Sequence, residues 1–157
     1  GLLGSALNLD LPHPRNSPAT GKTTETFLVQ PTSGGPIWEH RKGQVELDGV
    51  FLARRNATWS LFVIEAKHGK KKSGDSLAKY KLVYAMQLLA KKALLPDGLT
   101  CVPIYMRSWT DRRMVKFLIA ECDSVTLDSR DNPLCPLDAM TVKKASRYAM
   151  PLSFASA

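Results

Sequence analysis

Apolar and polar positions along the chain switch between two periods. "TFLVQ" (26–30) predicts a short strand, "PTSGG" a turn and "PIWEHR" (36–41) a second strand, with Lys42-Gly43 as a tight turn into the next. "QVELDGVFLAR" (44–54) and "WSLFVIEAKH" (59–68) are longer runs, apolar on both faces, which is the pattern of central strands. "GKKKSGD" (69–75) predicts a basic, flexible loop ending at a helix cap, with Ser73 and Asp75 as the candidates. From 76 to 95 the period changes. Leu77, Tyr80, Val83, Tyr84, Gln87, Leu88 and Lys91 recur at three and four residues, predicting a helix that Pro96-Asp97-Gly98 stops. "LTCVPIYMRSW" (99–109) and "RMVKFLIAEC" (113–122) predict two more strands, "SRDNPLCP" (129–136) a loop and "LDAMTVKKASRYAM" (137–150) a short basic helix. The order β-β-β-α-β-β with a C-terminal helix places the chain in the α/β (α+β) class, a mixed central sheet with hairpin strands flanked by helices.

With 157 residues, 44% of them hydrophobic, the chain is long enough for one compact domain with a real core. The Pro- and Gly-rich stretch 1–35 predicts a tether, and 36–157 the domain. "GKTT" at 21–24 is not a phosphate loop, because Asn16 stands where that motif needs its first glycine and no strand precedes it. The opening "GLLGSALNL" lacks the basic segment of a signal peptide and an initiator Met, which suggests a piece of a longer protein. No apolar run is long enough to span a membrane. Cys101, Cys122 and Cys135 are odd in number and widely spaced, with no pattern for zinc, so they read as free thiols in a reducing compartment. That predicts an intracellular protein, nuclear or cytoplasmic. Asn56-Ala57-Thr58 is then a chance glycosylation match.

Charge adds a partner. A net charge of +8 and a pI of about 9.6 favour a polyanion such as nucleic acid, although a basic soluble protein with no such partner fits the totals too.

The placing of a few charges adds chemistry. The two long runs surround Arg55-Asn56-Ala57-Thr58, and symmetric pairing about Asn56–Ala57 sets Asp48 opposite Glu65 and Glu46 opposite Lys67. All four then share a face with Val50, Leu52, Leu61 and Val63, while Val45, Leu47, Phe51, Phe62, Ile64 and Ala66 take the other. Two opposed carboxylates repel, and when half-buried they need a raised pKa, a cation, or both. Carboxylate oxygens suit Mg²⁺ or Mn²⁺, and a lysine beside them can hold a water or a phosphate oxygen. From geometry alone, a solvated Glu–Lys pair with a stray Asp remains open as well.

An acid on one strand, a short hairpin, then acid-x-Lys on the next resembles the PD-(D/E)XK nuclease superfamily, the restriction-endonuclease-like fold. Asp48 in "ELDGVF" and Glu65-Ala66-Lys67 in "FVIEAK" carry the resemblance, over residues 36 to 107. It implies a core of helix, three antiparallel strands, helix and strand; the first helix is missing or displaced, since the Pro-rich start is a poor helix former. It further implies a metal-dependent nuclease that hydrolyses DNA phosphodiesters with a metal-activated water and Mg²⁺ or Mn²⁺ as cofactor. Asp48, Glu65 and the main-chain carbonyl of Ala66 would hold the metal and Lys67 would position or activate the water. Glu39, or else Glu46, is the candidate for a further acid. Gln87 is an auxiliary candidate on the following helix, where relatives carry Gln-x-x-x-Tyr; here Lys91 replaces the Tyr, and a satisfied buried amide is the other reading. The alternative function is a non-catalytic nucleic-acid-binding module of the same fold.

His68, Lys70, Lys71 and Lys72 follow the motif directly and are the candidate nucleic-acid contacts, DNA ahead of RNA. Lys79, Lys81, Lys91 and Lys92 extend the charge along the helix, and Arg112, Arg113, Lys143, Lys144 and Arg147 add two clusters. Trp38, Trp59 and Trp109 could stack on bases, with core packing as their expected role. The reading excludes a membrane partner and leaves room for a homodimer and for further domains of a longer chain.

Overall fold

The computed structural model describes residues 2–10, 19–69, 77–92, 99–127, 138 and 140–152. In chain order they form α1 (Leu2–Ala6), β1 (Ala19–Val29), β2 (Trp38–Arg55), β3 (Thr58–His68), α2 (Leu77–Lys92), β4 (Leu99–Asp111), β5 (Met114–Cys122), β6 (Val125–Leu127) and β7 (Val142–Pro151). The strands make one seven-stranded mixed sheet in the order β1-β2-β3-β4-β5-β7, with β6 also pairing β4. β3 and β4 run parallel, joined through α2; every other pairing is antiparallel. Lys70–Lys72, Ser73, Asp75, Pro96–Gly98 and Cys135 lie outside the described residues.

The β2–β3 hairpin follows the expected symmetry, from Gly49 opposite Ile64 to Arg55 opposite Thr58. Asn56 and Ala57 both take left-handed backbone angles, φ 53° and 61°. Such a two-residue turn matches the right-handed twist of the strands it joins. The carboxylate of Asp10 accepts the N–H of Asn56 at 2.9 Å and of Ala57 at 3.0 Å, so the N-terminal segment clamps the turn.

Each face of the sheet has its own core. Alternate β3 residues Leu61 and Val63 pack with Leu82, Val83 and Met86 of α2. Phe62 and Ile64 point the other way, with Phe51, Val102 and Ile104, and meet Ala6 and Leu7 of the N-terminal segment. Phe51 and Phe62 stack at 5.1 Å between centroids. Full burial of a side chain like Phe62 contributes about 2–3 kcal/mol. α1 ends in a Schellman arrangement: Asn8 is left-handed (φ 52°), its N–H reaches Ser5 O, and the Leu9 N–H reaches Gly4 O.

Several expectations change. The predicted strands 36–41 and 44–54 are one strand, β2; Lys42-Gly43 is not a turn, and a bulge at Arg41–Lys42, opposite Thr26, takes its place. There Lys42 adopts φ 46° and gives its N–H to Thr26 Oγ1 at 2.9 Å, so β1 absorbs the extra residue without the strand breaking. The predicted basic helix at 137–150 is largely strand β7, lying along the open edge of β5. Its Lys, Ala and Arg residues suit a helix, but the unpaired main-chain groups of β5 offer more than propensity does. Lys143, Lys144 and Arg147 are exposed on this outer strand, a common protection of a sheet edge. Within 1–35, read as a tether, Ala6 and Leu7 are buried and β1 joins the sheet. Trp38 and Trp59 are 55% and 54% exposed, so neither packs in a core. Among the described residues, Cys101 and Cys122 are buried, and no helix is long and apolar enough to cross a membrane.

Candidate active site

The site forms where β2 and β3 stop pairing. Along β1, Ala19 lies opposite Val50 and Gly21 opposite Leu47, so β2 carries one extra residue at Asp48–Gly49. This second bulge breaks the strict alternation. Val45 and Leu47, expected on the face of Phe51, instead pack with Val50 on the α2 side. The β2–β3 ladder ends at Gly49–Ile64, so Asp48 is not a ladder partner of Glu65, nor Glu46 of Lys67. Bulges often end pairing and re-aim a side chain in this way.

Asp48 replaces the lost ladder contact with its side chain: Oδ2 accepts the Ala66 N–H at 2.8 Å. In an extended strand a residue's N–H and C=O share one edge, so the Ala66 carbonyl borders the same opening. Beyond it β3 stays paired with β4, Glu65 beside Tyr105 and Lys67 beside Arg107.

Glu65 is 2% exposed. Lys67 Nζ stands 2.5 Å from its Oε1 and Lys81 Nζ 3.6 Å, yet neither makes a well-directed hydrogen bond to that oxygen. Lys81, from the second turn of α2, also reaches Glu46 Oε2 at 3.4 Å. Gln44 and Lys22 hold the other oxygen of Glu46, at 2.8 and 3.8 Å. The result is a chain of alternating charge, Glu46–Lys81–Glu65–Lys67, beside Asp48. Burial pushes the Glu65 carboxyl above its ordinary range; the Lys67 ammonium opposes this, the Asp48 charge adds to it, and Lys81 again opposes it. The Lys67 ammonium is raised, first by its contact with Glu65 and against the effect of burial, with the charges of Glu65 and Asp48 adding.

This donor set fits a hard divalent cation. Glu65 Oε1 is a buried oxygen lacking a directed donor, Asp48 is an acid beside the same strand end, and the Ala66 carbonyl points to the edge where Asp48 holds the Ala66 N–H. Mg²⁺ in particular is commonly held by one or two carboxylates and several waters. Among the described residues, no three His, Cys, Asp or Glu side chains gather as ligands, so water would complete the coordination.

The remaining candidates sit elsewhere. Glu39 lies nine residues up β2, exposed and paired with Arg41 at 2.6 Å. Gln87 is 3% exposed and donates its amide to Leu28 O at 3.2 Å, a satisfied buried group under β1. His68 closes β3, exposed, with Nδ1 3.1 Å from Ser108 Oγ. Lys81 is the residue that the helix does bring to the acids. The sequence held a signal for it: a helix that follows a strand in a parallel crossover starts near that strand's C-terminal end, where Glu65 and Lys67 lie.

No family model matches the chain, and no curated protein or solved structure matches it either.

Proposed function

We propose that this protein is a metal-dependent nuclease that hydrolyses phosphodiester bonds of DNA, with Asp48, Glu65, Lys67 and the Ala66 carbonyl as its site. The observation that carries the reading is the opening between β2 and β3, where Asp48 is hydrogen-bonded to Ala66 and flanks a buried Glu65 contacted by Lys67. The element order supports it as well: a short helix, three antiparallel strands, a helix and a strand parallel to the third follow the order of the restriction-endonuclease-like core. α1, five residues long, precedes the strands, where the sequence suggested a first helix missing or displaced.

Asp48 and Glu65 would hold Mg²⁺ or Mn²⁺ with the Ala66 carbonyl. Bound there, the ion supplies a lowered pKa for an attacking water and neutralises charge developing on the phosphate. Lys67, with movable donors, orients that water or a phosphate oxygen. Lys81 lies between Glu65 and Glu46 and balances both charges. The buried free thiol of Cys122 suits the reducing interior of a cell, nucleus or cytoplasm, as its place of action.

A second reading, a binding module of the same design that does not cut, is favoured by the two lysines already at Glu65. Incubation of plasmid DNA and labelled DNA and RNA oligonucleotides with Mg²⁺, Mn²⁺ or EDTA separates the two. The nuclease reading expects metal-dependent cleavage that is lost in Lys67→Ala and Asp48→Asn, with both variants folded by circular dichroism. Binding that weakens with salt but never leads to cleavage would leave the second reading standing.

A further inference from the structure

The α2 side of the sheet is only partly roofed. On the β4 side of Glu65 and Lys67 lies a cavity of about 680 Å³ over β4, β5 and β7, with the N-terminal part of α2 as one wall. Two features make it unlike a core defect. Among the described residues its lining includes four cations, Lys79, Arg107, Lys116 and Arg147, and no carboxylate. It also includes Tyr105 and Trp109, over a mainly apolar floor.

The cations differ in freedom. Arg107 is fixed, with Nε donating to Tyr105 Oη at 2.8 Å and a terminal nitrogen to Gly69 O at 3.1 Å. Lys116 is held by Asp111 at 2.5 Å. Lys79 and Arg147 are exposed on opposite walls, and among the described residues neither has a carboxylate partner. Two lining residues stand next to the acid–lysine pair: Tyr105 is the register partner of Glu65 and Arg107 that of Lys67, one strand spacing or about 4.8 Å away.

We infer that this cavity is the substrate groove of the proposed nuclease, and that it takes unpaired nucleotides of a single strand. The inference rests on the nuclease reading for its purpose. A duplex presents phosphates and groove edges and keeps its base faces hidden, which leaves an apolar floor and an indole unused. A single strand offers both parts: bases to stack on Trp109 and phosphates for Lys79 and Arg147. A strand lying there passes Tyr105 and Arg107 and reaches the opening at Asp48 and Glu65. Tyr105 and Arg107, locked together, form a rigid rim at that passage.

The test is fluorescence anisotropy in EDTA, where no cutting occurs, with labelled dT12 and a labelled 12-base-pair duplex. The wild type should bind dT12 about tenfold more tightly than the duplex. Trp109→Ala should weaken dT12 binding at least fivefold, in line with the stacking contribution of one aromatic, and Trp109→Phe should restore most of it. Arg147→Ala, on an exposed edge strand and tolerant of change, should lower the slope of log K against log salt by about 0.7 for the single strand. Equal affinity for dT12 and duplex, or dT12 binding unmoved by both Trp109→Ala and Arg147→Ala, overturns the groove. The two proposals fail separately: metal-dependent cleavage without single-strand preference sinks the groove alone, and groove-dependent dT12 binding without cleavage sinks the nuclease alone.

Discussion

The carboxylate of Asp48 accepts the main-chain N–H of Ala66 at 2.8 Å, across the point where β2 and β3 part. The contact serves fold and site at once, and two substitutions separate these roles. Asp48→Asn keeps an oxygen that can accept the N–H, so stability should change by less than about 0.5 kcal/mol while cleavage falls at least a hundredfold. Asp48→Ala removes the acceptor too and should cost about 1 kcal/mol, the usual net value of such a bond. Urea unfolding of both variants beside plasmid cleavage checks this. Equal stability of the two would mean that Asp48 does not hold the strands.

Glu65 makes stability and metal binding depend on pH in opposite senses. Its folded pKa lies above the unfolded value of 4.5, chiefly through burial. The folded state therefore binds the proton more strongly, and this contribution is complete below the unfolded pKa and is lost as pH rises through the folded pKa. Gln does not titrate, so the stability of Glu65→Gln relative to the wild type should increase as pH rises above 4.5 and fall back on acidification toward pH 4. A divalent cation needs the ionised form, so Mn²⁺ affinity in the wild type should rise with pH over the same window. Thermal melts and Mn²⁺ titrations across pH 4 to 8 read both. A flat affinity would remove Glu65 from the ligand set.

How much of this was legible follows the range of the interactions. The hairpin register came from local pattern, because apolar runs around Asn56–Ala57 leave one good pairing. The single parallel crossover was legible in the periodicity of α2. The bulge at Asp48–Gly49 was not, although Gly49 inside a strand pattern is a mark of one. Strict alternation through it puts Val45 and Leu47 on the wrong face and makes Asp48 and Glu65 a ladder pair. Of the two candidates for a further acid, Glu39 pairs with Arg41 away from the site while Glu46 shares Lys81 with Glu65, and Gln87 follows its other reading, a satisfied buried amide, on the Leu28 carbonyl. β7 was hidden because its residues choose a strand only when the edge of β5 is present.

The turn at Asn56–Ala57 offers a stabilising change. Ala57 holds φ 61°, a conformation that costs a residue with a Cβ about 1 kcal/mol and glycine almost nothing. Ala57→Gly makes the turn Asn-Gly, the preferred pair for this hairpin, and should add about 0.5–1 kcal/mol despite the greater freedom of the unfolded chain. Asp10→Ala should act the other way, by about 1–2 kcal/mol, since two turn amides lose their acceptor. Denaturant midpoints read both, and a destabilised Ala57→Gly would show that the turn is not under strain.

On the face opposite the site, Arg55 at the end of β2 reaches Glu121 on β5, with one guanidinium nitrogen 2.9 Å from each carboxylate oxygen. Two strands, β3 and β4, lie between them in the sheet, so the pair ties the hairpin end to the far half of the domain. The side chains are 19% and 8% exposed, and the guanidinium lies 5.5 Å from the Phe62 ring centre. Removing one partner leaves the other charge in a poorly solvated place, a loss of about 3–5 kcal/mol when burial is complete. Partial exposure of Arg55 reduces this, so Arg55→Ala and Glu121→Ala should each cost about 2–3 kcal/mol. Arg55→Met with Glu121→Leu removes both charges and keeps apolar volume, and should recover most of that loss. Measured together by urea unfolding, the three variants form a test. If the double variant is as unstable as the sum of the singles, the pair contributes nothing as a pair, and its role in joining the two halves fails.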